Sequence, residues 1–215
     1  MALLGQAALA MWWDMVPDMR AEFQHWHTHE HFPERLSLPG FLRGSRWADA
    51  DGGDGFFVLY ELESHAHLAS PEYLARLNAP TPWSTQLMPH HRHMVRSQCV
   101  VEASEGGGVA GHAVTIRLQE GAAMAEQVKG LAQRPGLSGA HVLRACAPAI
   151  APTTEQKIRG LADGAADWVV VLCGYDPKAL SGACEGGLRL PGDAIVRRHV
   201  LAVSMNRADA GPPAR

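Results

Sequence analysis

The residues best equipped for chemistry lie in one run, Phe23-Gln24-His25-Trp26-His27-Thr28-His29-Glu30-His31-Phe32-Pro33-Glu34-Arg35. Imidazole exchanges a proton near neutral pH, and a carboxylate beside it can orient it or balance its charge. On a helical wheel Glu30 lies about 20° from Phe23, on the stripe that also carries Met19 and Trp26. His27 falls about 40° off that stripe and His31 about 80° off it, while His25 and His29 point outward. The wheel therefore selects His31, Glu30 and His27 as the candidate catalytic set. His31 would shuttle the proton, Glu30 would orient or charge-balance it, and His27 with Trp26 would line the pocket. A carboxylate turned toward a core needs a partner or a raised pKa, and a histidine or Arg35 is the nearest partner. The same residues can also form a closed polar network that does no more than anchor the helix.

Metal chemistry is the competing use of such a run. His25/His29 and His27/His31 are i, i+4 pairs, a spacing that can place two imidazoles on one ion. His29-Glu30-His31 has the wrong spacing for a zinc-protease helix, and His90-His91-x-His93 and His65/His67 read as adventitious additions. A haem would need one axial histidine and a large apolar pocket. The reading assigns no metal and no cofactor. No GxSxG, P-loop or GxGxxG occurs, so hydrolase, kinase and dinucleotide chemistry lack support.

Composition narrows the partners. With 47% hydrophobic and 19% charged residues, the chain has ordinary globular composition. A formal charge of −3 gives no electrostatic reason to seek nucleic acid. The early apolar run Ala7 to Trp13 stops at Asp14, far short of the ~20 residues that span a bilayer. No basic segment precedes it, so neither membrane insertion nor a signal peptide is expected. The four cysteines, Cys99, Cys146, Cys173 and Cys184, are widely spaced and form no CxxC. They read as buried free thiols in a cytoplasmic protein.

Two halves with one pattern must position the histidine run. Gly5 to Trp13 reads as a strand buried on both faces, and Pro17-Asp18 opens a helix that Pro33 makes costly to continue. Phe41 to Trp47 and Phe56 to Leu62 flank the Asp/Gly-rich Asp49 to Gly55, a hairpin signature. Ser70-Pro71 and Thr81-Pro82 each start a helix, and Met94 to Val101 closes the half as a strand. The pattern recurs in His112 to Leu118 (strand), Ala122 to Gln133 (helix), a strand opened by Pro135-Gly136-Leu137, Trp168 to Gly174 (strand), a helix from Asp176-Pro177, and Ala194 to Met205 (strand). A helical turn is placed near Thr154 to Leu161. The domain reading is a ferredoxin-like repeat over 1–104 carrying the histidine helix, a second over 109–207 without it, and a frayed tail over 208–215.

A βαββαβ unit covers only one sheet face with helices, so two units bury their open faces against each other. The fold class is α+β: tandem ferredoxin-like repeats forming an antiparallel, pseudo-dimeric α+β barrel. The rival is pairing across a homodimer. Trp12 and Trp13 alternate on the first strand, so one faces the barrel interior and the other the helices. Arg96 and Gln98 share one face of the fourth strand and, if that face is the barrel interior, need a polar ligand or each other. Trp12, Trp83 and Arg96 join Trp26 and Arg35 as candidate substrate-binding residues.

The pattern Phe23-x-x-Trp26-His27-x-x-x-His31-x-Pro33, after a first strand and before Pro39-Gly40-Phe41, resembles the EthD-like branch of the dimeric α+β barrel superfamily. The resemblance covers the first half. Ala122 to Gln133 holds no histidine and no aromatic residue, which implies one site per chain. Relatives in that superfamily include decarboxylases, isomerases, dehydratases, cofactor-free monooxygenases and haem-binding proteins. The expectation is a cofactor-independent acid/base enzyme of tautomerase, decarboxylase or dehydratase type, acting on a small apolar carbonyl or aromatic compound. The alternative is a non-catalytic barrel that binds a hydrophobic ligand or haem.

Overall fold

The computed structural model describes residues 3–148, 150–160 and 163–210. The first half runs β1 (Ala7–Met15), a 3-10 turn (Pro17–Met19), α1 (Arg20–Trp26), a π turn (His27–His31) and α2 (Phe32–Leu36). It continues through β2 (Phe41–Asp49), β3 (Gly55–Leu62), α3 (Pro71–Asn78), α4 (Pro82–Leu87) and β4 (His91–Gly106). The second half runs β5 (His112–Leu118), α5 (Met124–Gln127), β6 (Leu137–Ala145), α6 (Thr154–Ile158), β7 (Trp168–Gly174), α7 (Pro177–Gly186) and β8 (Ile195–Asn206).

The eight strands close into one antiparallel barrel in the order β1-β3-β2-β8-β5-β7-β6-β4. Each half supplies four neighbouring strands in the same internal order, fourth-first-third-second. The seams are β2 against β8 and β4 against β6. The expected α+β barrel is the one that forms, and it closes within a single chain. β4 is long because it serves both halves: its first part pairs with β1 and its end with β6.

Period-2 alternation sorts the strand residues. On β1, Ala8, Ala10 and Trp12 join the barrel interior with Trp47, Phe57 and Leu59. Leu9 and Trp13 face outward and pack under the helices with Phe23, Trp26 and Phe32. α1 is too short to hold itself together in water. Burying Phe23 and Trp26 of α1, with Phe32 of α2, stabilises the docking of this helical run by roughly 1.5–3 kcal/mol per side chain. A third core, Val114, Ile116 and Leu118 under Met124, Val128 and Leu131, belongs to the second half.

The histidine helix ends at Leu36, before Pro39-Gly40 as expected, and passes Pro33 because that proline falls in the first turn of α2, where no N–H is needed. One helix departs from expectation. The helix expected over Ala122 to Gln133 breaks into α5 and a 3-10 turn (Leu131–Gln133). Gly130 between them has φ of 72°, a left-handed conformation that ends a helix. Cys99, Cys173 and Cys184 are buried free thiols, but Cys146, just beyond the end of β6, is exposed. Of the expected frayed tail, 208–210 form a turn tied to the Asn206 side chain, and 211–215 lie outside the described residues. Leu161 also lies outside them. No helix among the described residues is long and apolar enough to cross a membrane.

Candidate functional site

The histidine run sits on α1, the π turn and α2, between the outer face of β1 and the helix layer. A regular α-helix would place Glu30 near Phe23, but in the π turn the Phe32 N–H reaches back five residues to the His27 carbonyl. The wider turn brings His31 over His27, with ring centroids 5.3 Å apart, and both imidazoles become buried. Thr28 and Arg46 secure the turn. The Thr28 hydroxyl donates to the Gln24 carbonyl at 2.7 Å, and Arg46 reaches the same carbonyl and the Thr28 oxygen.

These rings border a cavity of about 50 Å³, lined among others by Trp13, Trp26, His27, His31, Tyr60 and His91. At roughly 10–15 Å³ per water, it holds a few solvent-sized groups in this conformation. His91 was missed as a site residue because the sequence shows only a surface-like His90-His91-x-His93 cluster. Its Nδ1 lies 3.2 Å from both the Leu87 and Met88 carbonyls. Carbonyls only accept, so Nδ1 carries the proton and Nε2 keeps its lone pair. Burial holds His91 down to about 4, with Arg159 adding to the effect. Burial, then nearby positive charge, likewise holds His27 and His31 well below the ordinary imidazole value. The three rings are therefore neutral at pH 7 and available as proton acceptors.

The leading positive charge is Arg46 for His27, Arg35 for His31 and Arg159 for His91. Arg35 is the most deeply paired of them. Burial acts against its charged form, but Glu155 and Glu34 more than offset this and raise its pKa. Its Nη1 meets Glu34 at 3.1 Å and its Nη2 donates to Glu155. Glu155 comes from α6, so the second half reaches across to the first half's cavity. The legible signal was the capping box, Thr153 with Gln156, that starts this helix. Burial pushes the Glu34 carboxyl up, and Glu34 lies 3.8 Å from His31 Nδ1. The Tyr60 hydroxyl is buried without a protein partner among the described residues, as are His27 Nδ1 and His31 Nδ1. Burial raises Tyr60 well above the usual phenol value, so it stays a donor.

The expected residues are only partly brought together. His27, His31, Trp26, Arg35 and Arg96 all border the cavity. Arg96 and Gln98 face the helix layer and not the barrel interior, since they pair with Met11 and Leu9 on β1. Arg96 donates to the Tyr73 hydroxyl at 3.0 Å. Glu30 is turned away. It accepts from the Trp26 indole at 3.0 Å and from Thr81 at 2.5 Å, so neither a histidine nor Arg35 is its partner. Trp83 lies on the outer surface, where its indole donates to Glu22. Trp12 points into the barrel interior and donates to Thr115, while Trp13 takes the cavity side. His25 and His29 are exposed, as the wheel indicated. No group of three or more metal-ligating side chains is gathered among the described residues.

By sequence, the chain matches no family model and no curated protein. By structure, it superposes on an anthrone oxidase-like protein with a TM-score of 0.62 at 10% identity, covering 100% of this chain and 99% of the other. A Fusobacterium nucleatum protein assigned as a monooxygenase gives 0.58 at 7% identity, covering 95% and 96%. A Lactobacillus acidophilus protein assigned likewise gives 0.53 at 9% identity, covering 94% and 97%. At these identities the likeness establishes the fold, that of the dimeric α+β barrels.

Proposed function

We propose that the cavity is an acid/base site that removes a proton from a small, enolisable carbonyl or phenolic compound. One observation carries the reading: three neutral imidazoles, His27, His31 and His91, surround a cavity that also holds a buried, paired arginine and an unpartnered phenol. His31 is the proton acceptor, because burial and Arg35 keep it unprotonated and it sits at the cavity margin. Arg35 and the Tyr60 hydroxyl are the groups that stabilise the oxyanion formed as the proton leaves. Trp13 and Trp26 give the apolar walls that keep the site dry. Glu30 acts at one remove by fixing the Trp26 indole.

Tautomerisation, dehydration and decarboxylation share this requirement for a positioned base. Direct oxygenation by O2 of the carbanion so formed shares its first step, and the monooxygenase-assigned neighbours favour including it. The test is α-proton exchange in deuterium oxide, followed by NMR over a panel of cyclic diketones and aromatic hydroxyketones. Exchange is expected for some member of the panel. His31→Ala should slow it by about 10²–10⁴-fold. A His31→Ala protein that exchanges at the wild-type rate but melts much lower would reduce the histidines to a structural network. Binding of panel compounds without any exchange would favour a ligand-holding barrel.

A further inference from the structure

At one rim of the barrel, away from the histidine cavity, the inner faces of β5 and β8 bring Arg117, Arg197 and His199 together. Thr115 pairs with Arg197 across these strands and Ala113 with His199, so alternate residues on each strand share the inward face. Arg92, from the start of β4, borders the same open groove of about 560 Å³. The acids there are engaged elsewhere. Asp14 holds His93 at 2.8 Å, Asp49 accepts from the backbone of Asp51 and Gly53, and Asp54 lies 3.9 Å from Arg20. Arg92, Arg117 and Arg197 have no hydrogen-bond or ion-pair partner among the described residues.

Two observations separate this cluster from solvated surface charge. The Arg117 guanidinium lies 5.2 Å over the Trp12 ring, with its Nε buried and unpartnered. His199 is only 4% exposed, and its Nδ1 is also unpartnered. Thr115 Oγ1 accepts the Trp12 indole proton at 3.1 Å and lies 3.0 Å from His199 Nε2. With the indole proton on one lone pair, the hydroxyl can donate to Nε2, and the ring proton then lies on Nδ1, a donor without an acceptor among the described residues. Burial and Arg197 both weigh against the Arg117 charge, and only Asp14 opposes them. The guanidiniums repel each other, and a bound anion relieves that repulsion.

We infer that this rim is an oxyanion site in which Arg117, Arg197 and the His199 N–H hold a carboxylate or phosphate group, with Trp12 beside it. The site is independent of the acid/base reading and stands or falls without it. The test is isothermal titration at constant ionic strength with two probes, benzoate and inorganic phosphate. At least one should bind saturably near one equivalent per chain. A preference for benzoate marks a carboxylate ligand and a preference for phosphate a phosphorylated one. Arg197→Gln alters an exposed side chain and should weaken binding about tenfold, the loss expected for one charge-assisted anchor. Arg189→Gln, on the second-half surface, should leave it unchanged. Absence of saturable binding by both probes overturns the site, as does equal weakening by Arg197→Gln and Arg189→Gln, which marks nonspecific charge attraction.

Discussion

The two halves of the barrel share one strand order but fill their helix layers differently. Beneath the first half's helices, Leu9 and Trp13 of β1 meet aromatic rings and imidazoles, and a cavity remains. Beneath the second half's helices, Val114, Ile116 and Leu118 of β5 meet Met124, Val128, Leu131 and Leu180, aliphatic side chains that form a plain core. On the proposed reading, the same scaffold serves once for chemistry and once for stability. The division is not clean, because Glu155 and Arg159 of the second half border the first half's cavity.

The contrast can be broken from either side. The largest effect expected is that of His31→Ala: about 10²–10⁴-fold slower turnover with a melting temperature close to wild type. The mirror experiment is Leu131→Ala, which should cost about 2–5 kcal/mol in denaturant unfolding and leave turnover of the folded protein unchanged. Loss of turnover in folded Leu131→Ala protein would show the halves to be coupled through the barrel. Next is Glu155→Gln, which takes one carboxylate from Arg35 but keeps Glu34. It should cost about 1.5–3 kcal/mol of stability and slow turnover, measured by thermal unfolding and kcat together.

Acid should act on both halves, because burial holds His141 and His199 of the second half down to about 4, as it does His91 of the first. His27, His31 and His91 have folded pKa values below their unfolded value of about 6.5. The unfolded chain therefore binds more protons between the two values, and stability is full above 6.5 and lost as pH falls through the folded values, about 4 for His91. Circular dichroism melts from pH 8 to 4 should show a flat region and then a decline, with turnover following. His91→Gln should reduce that decline. The smallest effect is that of Trp83→Phe, which removes a surface hydrogen bond to Glu22 and should leave turnover unchanged.

The barrel was legible because its signals are spread along the chain. Period-2 alternation, the Asp/Gly hairpin turn and the proline-started helices each specify an element locally, and every strand but β4, which runs five residues past its expected end to pair with β6, lies within two residues of its expected bounds. The site was legible only where a residue's face follows from a regular period. His27, at the head of the π turn, qualified. Glu30 did not, because the π turn changed the period between His27 and His31. Which of Trp12 and Trp13 faces the cavity depends on how β1 sits in the barrel, and alternation leaves that choice open. Glu155 lies 120 residues from Arg35 in the chain, and nothing local marks their pairing.

The π turn also bears on how this chain compares with others. In effect it is one residue inserted into a helix. A relative whose helix is regular there aligns with this chain only if a one-residue gap falls between His27 and His31. Without that gap, everything downstream slides by one position, and Glu30 is set against the relative's residue that superposes on His31. Motif matching at fixed spacing is blind to such a helix, whereas superposition of backbones passes over it.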